Sequence, residues 1–210
     1  MELIKKYFED LSDLQLERLT ALKNLYEDWN SKINVISRKD MDSFYCNHVL
    51  HSLSLAKLDE IKKTDKVLDI GTGGGFPGIP LAIFYPETRF TLVDSIRKKT
   101  TVVRAVKDAL NLNNVTVIND RFENVEDNYN IIVSRAVAPA LKLIQYTKKA
   151  SSKSPKYLFI KGGDLSEEKQ AVLKNYKGAQ WNELELNSVF AEPFFETKKV
   201  VTLDFIKGNT

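Results

Sequence analysis

The sequence predicts an α/β protein: an open, mostly parallel sheet that ends in an antiparallel hairpin and is preceded by helices. Three observations carry this. From Lys66 onward, short apolar runs rich in β-branched residues alternate with helical patterns, as expected for parallel βαβ units buried on both faces. The last two runs have no clear helical pattern between them, which points to a terminal antiparallel pair. The first sixty residues instead carry apolar residues at three- and four-residue spacing.

Taken in order, Leu19, Leu22, Tyr26 and Trp29 line one face of a first helix, and Ser12 with Gln15 makes a capping box at its start. A second helix is expected over about Asp40 to Leu58. The predicted strands are Lys66–Ile70, Arg89–Val93, Val115–Ile118, Asn130–Ser134 and Tyr157–Ile160, then a pair near Leu184–Val189 and Val200–Phe205. Ser95–Leu110 is the clearest intervening helix, and Ser151–Pro155 reads as a loop. The expected division is a helical extension over residues 1–60 and one compact unit over 61–210.

Composition narrows the function classes. The 210 residues are 43% apolar and 28% charged, the balance of a soluble globular chain. A single cysteine, Cys46, excludes an internal disulfide and fits a reducing compartment. No apolar run approaches the roughly 20 residues of a membrane span, and acids interrupt the N-terminal stretch where a signal peptide would be apolar. The expected location is the cytoplasm. Cys46, His48 and His51 are the only residues that resemble metal ligands, but their spacing shares no helical face and there is no fourth soft ligand; no metal site is expected.

The net charge of +3 conceals clustering. Residues 128–163 contain seven bases and no acid, including Arg135, Lys148, Lys149 and Lys161; a second cluster, Arg97, Lys98 and Lys99, follows Asp94. Either run alone is an ordinary solvated surface unless the fold gathers both on one side.

The strongest local signal is Asp69-Ile70-Gly71-Thr72-Gly73-Gly74-Gly75-Phe76-Pro77-Gly78-Ile79-Pro80, directly after the first strand. Glycines there let the chain turn tightly and bring bare backbone against a ligand. Asp94 ends the second strand twenty-three residues beyond Gly71, where an acid accepts hydrogen bonds from ribose hydroxyls. The order of strand, glycines, helix and acid points to an adenosine-containing cofactor. Gly73–Gly78 also fits the dinucleotide pattern G-x-G-x-x-G. Against that stand the earlier Gly71, the N–H-less Pro77 and Pro80 where a pyrophosphate would want donors, and too little remaining chain for a second catalytic domain.

The register Asp69-x-Gly71-x-Gly73-x-Gly75 resembles motif I of S-adenosylmethionine-dependent methyltransferases. The longer run Asp69–Ala82 resembles the glucose-inhibited division protein B family, the small-subunit ribosomal RNA guanine-N7 methyltransferases. Trp29-Asn30-x-x-Ile33-Asn34, the His48…Ser52 segment, Leu92–Ser95 with Lys98-Lys99, Arg121–Glu123, Ser134–Ala136 and Lys161-Gly162 extend the likeness over most of the chain. The last forty residues match weakly, and His51 stands where the family usually has an acid.

The resemblance implies a Rossmann-like methyltransferase sheet with S-adenosyl-L-methionine as cofactor, bound by Gly71, Gly73, Gly75, Phe76, Asp94, Phe122, Glu123 and Arg135. The chemistry agrees in part: Asp94 suits the ribose, Phe122 the adenine ring and Glu123 the adenine amino group. Arg135 and Lys161 are the expected catalytic-site residues. They position RNA through phosphate or guanine O6, or Arg135 holds the cofactor's carboxylate instead. RNA contacts are expected from Arg97, Lys98, Lys99, Arg121, Lys148 and Lys149. The expected partner is small-subunit ribosomal RNA or the assembling subunit, met by a monomer. After the fourth strand the chain has Ser134-Arg135-Ala136-Val137 rather than Asn/Asp-Pro-Pro-Tyr, and Cys46 falls in the helical N-terminal region rather than in a sheet-edge loop. Both disfavour exocyclic-amine and covalent pyrimidine chemistry, whereas guanine N7 carries no proton and needs no base. A small-molecule methyltransferase and a non-catalytic RNA-binding module are the alternatives.

Calorimetry checks the cofactor reading. S-adenosylmethionine or its demethylated product should bind more tightly than NAD or NADP, and Asp94→Ala should weaken that binding by about 1–3 kcal/mol.

Overall fold

The computed structural model describes residues 1–205. Seven strands form one sheet: β1 (Lys66–Ile70), β2 (Arg89–Val93), β3 (Val115–Ile118), β4 (Tyr129–Arg135), β5 (Ser151–Gly162), β6 (Ala179–Glu185) and β7 (Lys198–Phe205). Their spatial order is β3-β2-β1-β4-β5-β7-β6. β1 to β5 are parallel, and β7 inserts antiparallel between β5 and β6.

Both faces of the sheet are buried, and the two-residue alternation of strands sorts side chains between them. Val67, Ile131, Val133, Leu158 and Val200 enter one apolar cluster; Leu68, Ile132, Phe159, Val201 and Leu203 enter the other. This dual burial is why the strands read as continuous apolar runs.

The N-terminal region comprises α1 (Glu2–Tyr7), α2 (Asp13–Asn30), α3 (Arg38–Met41), a π-helical stretch Tyr45–Leu50, α4 (His51–Leu53) and a 3-10 stretch Ser54–Leu58. The capping box forms as expected: Ser12 Oγ accepts from the Gln15 amide, and Gln15 Oε1 accepts from the Ser12 amide. Leu19, Leu22 and Tyr26 are fully buried, in the cluster that also holds Val67 and Val133. The single helix expected over 40–58 is instead a succession of short pieces. Phe44 and Val49 are both fully buried; they are five residues apart, a spacing that a π-turn brings to one side and an α-helix does not.

The remaining helices are α5 (Gly78–Phe84), α6 (Arg97–Ala109), α7 (Ala140–Tyr146) and α8 (Ser166–Asn175). Three sequence expectations shift. Ser151–Pro155 is part of β5 rather than a loop: Tyr129 pairs with Ser151 but Ile131 pairs with Lys156, so the intervening residues bulge outward, and Pro155 needs no ladder donor there. α8 was hidden because only Val172 of its ten residues is buried. The sixth strand lies five residues earlier than expected, since an edge strand burying little beyond Trp181 has no apolar run. β6 and β7 form the expected antiparallel pair; their connection runs through the 3-10 turns Leu186–Ser188 and Pro193–Phe195, with Leu186, Phe190 and Phe195 buried along it. No helix among the described residues is long and apolar enough to cross a membrane.

Because α2 buries its apolar face in the cluster that covers the sheet, Leu22→Ala should cost about 2–5 kcal/mol of stability. Leu14→Ala, at a position 53% exposed, should change it by less than about 0.5 kcal/mol. Urea denaturation of the two variants checks this; equal losses would contradict the packing.

Candidate active site

The carboxyl ends of the parallel strands share one edge, and strand order reverses between β1 and β4. Ligands of open α/β sheets bind at such a switch point. The turn after β1 and the turn after β4 meet here so closely that a Cβ on Gly71 would lie 2.6 Å from Val137 Cγ2.

The glycine loop is tied down from below. Asp69, at the end of β1, is fully buried; its Oδ2 accepts from Thr72 Oγ1 at 2.6 Å and from the Gly78 amide at 2.9 Å. One oxygen therefore holds the beginning of the loop and the start of α5. Burial pushes the Asp69 carboxyl up to about 7, against its two hydrogen bonds and the Arg135 charge, while Oδ1 has no partner. Asp94 fixes the upper side, with Oδ2 accepting from the Gly73 amide at 2.9 Å and Oδ1 from the Ile96 amide at 2.8 Å. Tyr26 of α2 donates to the Gly74 carbonyl.

Two cavities open along this edge. The first, about 400 Å³, is lined by Gly71–Gly74, Phe76, Asp94, Lys99, Phe122 and Arg135–Val137, among others. The second, about 380 Å³, is lined by His51, Arg135–Pro139, Ile160–Gly162, Glu168 and Lys198. Arg135, Ala136 and Val137 belong to both. Each volume falls within the range of small-ligand sites. A polar recess at the opposite edge is self-satisfied: Asn114 donates to three carbonyls and Lys66 pairs with Asp127.

Arg135 occupies the junction. Its guanidinium donates to the Asn47 carbonyl at 3.2 Å and to His48 Nδ1 at 3.1 Å, and lies 5.1 Å from the centre of the Phe76 ring. Burial lowers its pKa to about 10, which leaves it charged at neutral pH. Tyr26, Phe44, His48 and Phe76 pack together beneath it. Burial, reinforced by Arg135, pushes His48 down to about 4 and His51 down to about 3, so both imidazoles are neutral. Their Nε2 atoms are buried without partners.

The structure thus gathers Gly71, Gly73, Phe76, Asp94, Phe122, Arg135 and Lys99 around the first cavity. Arg97 and Lys98 are exposed on the same first turn of α6 as Lys99, and Arg121 and Glu123 flank Phe122 outside the cavity walls. Gly75 faces away from it: a Cβ there would meet Ile79 and the Tyr26 hydroxyl. Lys161 is in the second cavity, but it is held, donating to the Ala138 carbonyl at 2.6 Å and paired with Glu168 at 2.9 Å. Lys148 and Lys149 are not brought to this edge. They precede β5, which starts at the amino edge and reaches the cavities only at its end, Ile160–Gly162; Lys149 pairs at the amino edge with Glu126, and Lys148 lies beside Pro155 and Tyr176. The basic run of residues 128–163 is therefore divided between opposite edges. His51, Glu168 and Lys198 were not assigned from sequence, because they come from three separate elements. Among the described residues, no group of three or more His, Cys, Asp or Glu could hold a metal ion.

The family model described as rRNA small subunit methyltransferase G matches residues 15–198. Ribosomal RNA small subunit methyltransferase G of Christiangramia forsetii is 49% identical over 209 residues, covering 97% of this chain and 96% of its own. The protein of that name from Flavobacterium psychrophilum is 50% identical over 207 residues, covering 96% of each. Among solved structures, a SAM-dependent methyltransferase from Aquifex aeolicus matches with a TM-score of 0.60 at 17% identity, covering 81% of this chain and 100% of that one. M. jannaschii TYW2 in complex with AdoMet matches with a TM-score of 0.57 at 14% identity, covering 83% and 78%. These structural likenesses establish the fold.

The neutral histidines give stability a pH dependence. The folded pKa of His51 lies below its ordinary 6.5, so the unfolded chain takes up the proton first. Its contribution is fully present above about pH 6.5 and is lost as pH falls, at about 1.4 kcal/mol per unit. Urea unfolding at pH 7.5 and 5 should show this loss, and His51→Phe should reduce it.

Proposed function

The chain belongs to the rRNA small subunit methyltransferase G family, and on that premise we propose that it methylates guanine N7 in small-subunit ribosomal RNA. The observation that carries the reading is the pair of cavities meeting at Arg135–Val137 on the switch-point edge. One suits the cofactor, and the other suits an RNA base.

The cofactor is S-adenosylmethionine, and the first cavity fits it. A Cβ on Gly73 would meet nothing closer than the Gly71 carbonyl at 4.0 Å, so the bare backbone borders open space. Asp94 has lone pairs left beyond its two amide bonds for ribose hydroxyls. Phe122 covers the adenine, with Glu123 on the same turn as acceptor for its amino group. Pro77 and Pro80 withhold the amide donors that a pyrophosphate would need, and a cofactor without phosphates loses nothing by this. When bound, S-adenosylmethionine supplies an electrophilic methyl group on sulfur.

The chain's own tasks are alignment and exclusion of water. Guanine N7 attacks through a lone pair and loses no proton, so no side chain must act as base. Arg135, fixed by Asn47 and His48, is a rigid donor at the junction, able to hold guanine O6 or the cofactor's carboxylate. Lys161, committed to Glu168 and Ala138, forms part of the base cavity's wall rather than a free phosphate anchor. Arg97, Lys98 and Lys99 supply the phosphate contacts, with Arg121 beside them. The protein works as a monomer in the cytoplasm, on ribosomal RNA free or in the assembling subunit.

Mapping N7-methylguanine in small-subunit RNA tests the reading. One modification should vanish in cells lacking the protein and return with the wild type but not with Asp94→Ala. An unchanged methylation map would overturn it. In single turnover with saturating RNA, the rate should be nearly flat from about pH 6 to 9; a rise of slope one, abolished by replacing a histidine or acid, would show a general base.

A further inference from the structure

The second cavity contains an acid where a polyanion-binding surface has no need of one. Its walls carry Arg135, Lys161 and Lys198, and among them stands Glu168 of α8. The carboxylate is held in place: Oε2 accepts from Lys161 Nζ at 2.9 Å and from the Ala140 amide at 2.8 Å. Oε1 meets only Lys161 Nζ, at a longer 3.3 Å. A carboxylate oxygen has two lone-pair directions, so Oε1 keeps acceptor capacity. The Lys161–Glu168 pair cancels its own charge, and the two side chains are only 9% and 24% exposed. This stretch of the wall is therefore close to neutral and offers an acceptor, while Arg135 and Lys198 leave the cavity as a whole cationic; the acceptor suits a ligand edge that donates hydrogen bonds.

Guanine has such an edge. Its N1–H and 2-amino groups are donors, while O6 and N7 are acceptors; adenine offers a lone pair at N1 instead. N7 lies on the side of the purine opposite the 2-amino group. With N7 turned toward the first cavity, across Arg135–Val137, the donor edge falls toward residues that line the second cavity alone, Glu168 among them. We infer that Glu168 is a specificity-determining residue for the target base, accepting from guanine N1–H and the 2-amino group. The inference rests on the guanine-N7 reading above. His51 lines the same cavity, 7% exposed and packed edge-on against Phe194 and Phe195. Because burial and the neighbouring cations keep this imidazole neutral, it adds no charge to the wall.

The test uses small-subunit RNA ligated to carry either guanosine or inosine at the mapped position. Inosine lacks only the 2-amino group and retains N7. Wild type should transfer methyl to the guanosine RNA about tenfold to a hundredfold more efficiently, the value of a hydrogen bond to a charged group. Glu168→Ala should bring the ratio close to one. Glu168→Gln, which preserves shape and an acceptor for Ala140, should lower it with less risk to the fold. Cofactor affinity, measured by calorimetry, should be unchanged in both variants. NMR titration of GMP against IMP, with the demethylated cofactor present, should show the same loss of preference without turnover. If Glu168 merely held Lys161 in place, both substrates would fall by the same factor, and an unchanged ratio in both variants overturns the inference. Equal use of the two RNAs by wild type overturns it as well, and leaves the methyltransferase reading intact. No transfer by wild type to guanosine RNA overturns that reading, and the inference with it.

Discussion

The site depends on one buried oxygen. Asp69 Oδ2 joins the hydroxyl of Thr72 to the amide of Gly78, and so fixes where the glycine loop leaves β1 and where α5 begins. The geometry leaves no slack. A Cβ on Gly78 would lie 2.6 Å from Leu92 Cγ and 2.7 Å from Asp69 Oδ2, so the helix start is pressed onto β2 and onto the carboxylate together. Thr72 also donates its amide to the Val93 carbonyl at 3.0 Å, and Gly73 reaches Asp94. Loop, β1, β2 and the acid at the end of β2 therefore form one hydrogen-bonded unit. Burying a carboxylate is costly, but its partners here are donors that would otherwise be buried unpaired.

A second constraint comes from outside the sheet. α2 and the π-helical stretch bring Tyr26, Phe44 and His48 against Phe76 and Arg135. The loop is thus gripped by Asp69 from the sheet side and by Tyr26, through the Gly74 carbonyl, from the helical side. Arg135 would be an expensive charge to bury alone. The Asn47 carbonyl and the neutral His48 ring make it affordable, and both come from the helical region. The N-terminal helices shape the site as well as covering the sheet.

What the sequence revealed follows from how local each signal is. The capping box at Ser12, the strand–glycine–helix run and Asp94 are encoded within a few residues, and the structure places each as read. α8 and β6 escaped because each buries little more than one large side chain, Val172 and Trp181, so neither carries an apolar rhythm. Ser151–Pro155 has the composition of a loop and is one in part, as a bulge within a strand. The basic run misled for a topological reason. β5 is twelve residues long, and a strand of that length separates its ends by up to roughly 40 Å. Lys149 and Lys161, members of one basic run, therefore serve opposite edges. Glu168 carried no local signal, and nothing local tied His51 to it, since only the folded chain brings α8 and α4 to one cavity.

The turn Arg135–Val137 is the common wall of both cavities, and it is thin. Ala136 holds a φ of +53°, a conformation that costs a non-glycine residue energy, and Val137 is pressed against Gly71. The partition consists of three residues: Ala136 is strained, and Val137, though 37% exposed, closes off the space that a side chain on Gly71 would need. Arg135, Ala136 and Val137 line both chambers, so a single substitution in this turn reshapes two walls at once.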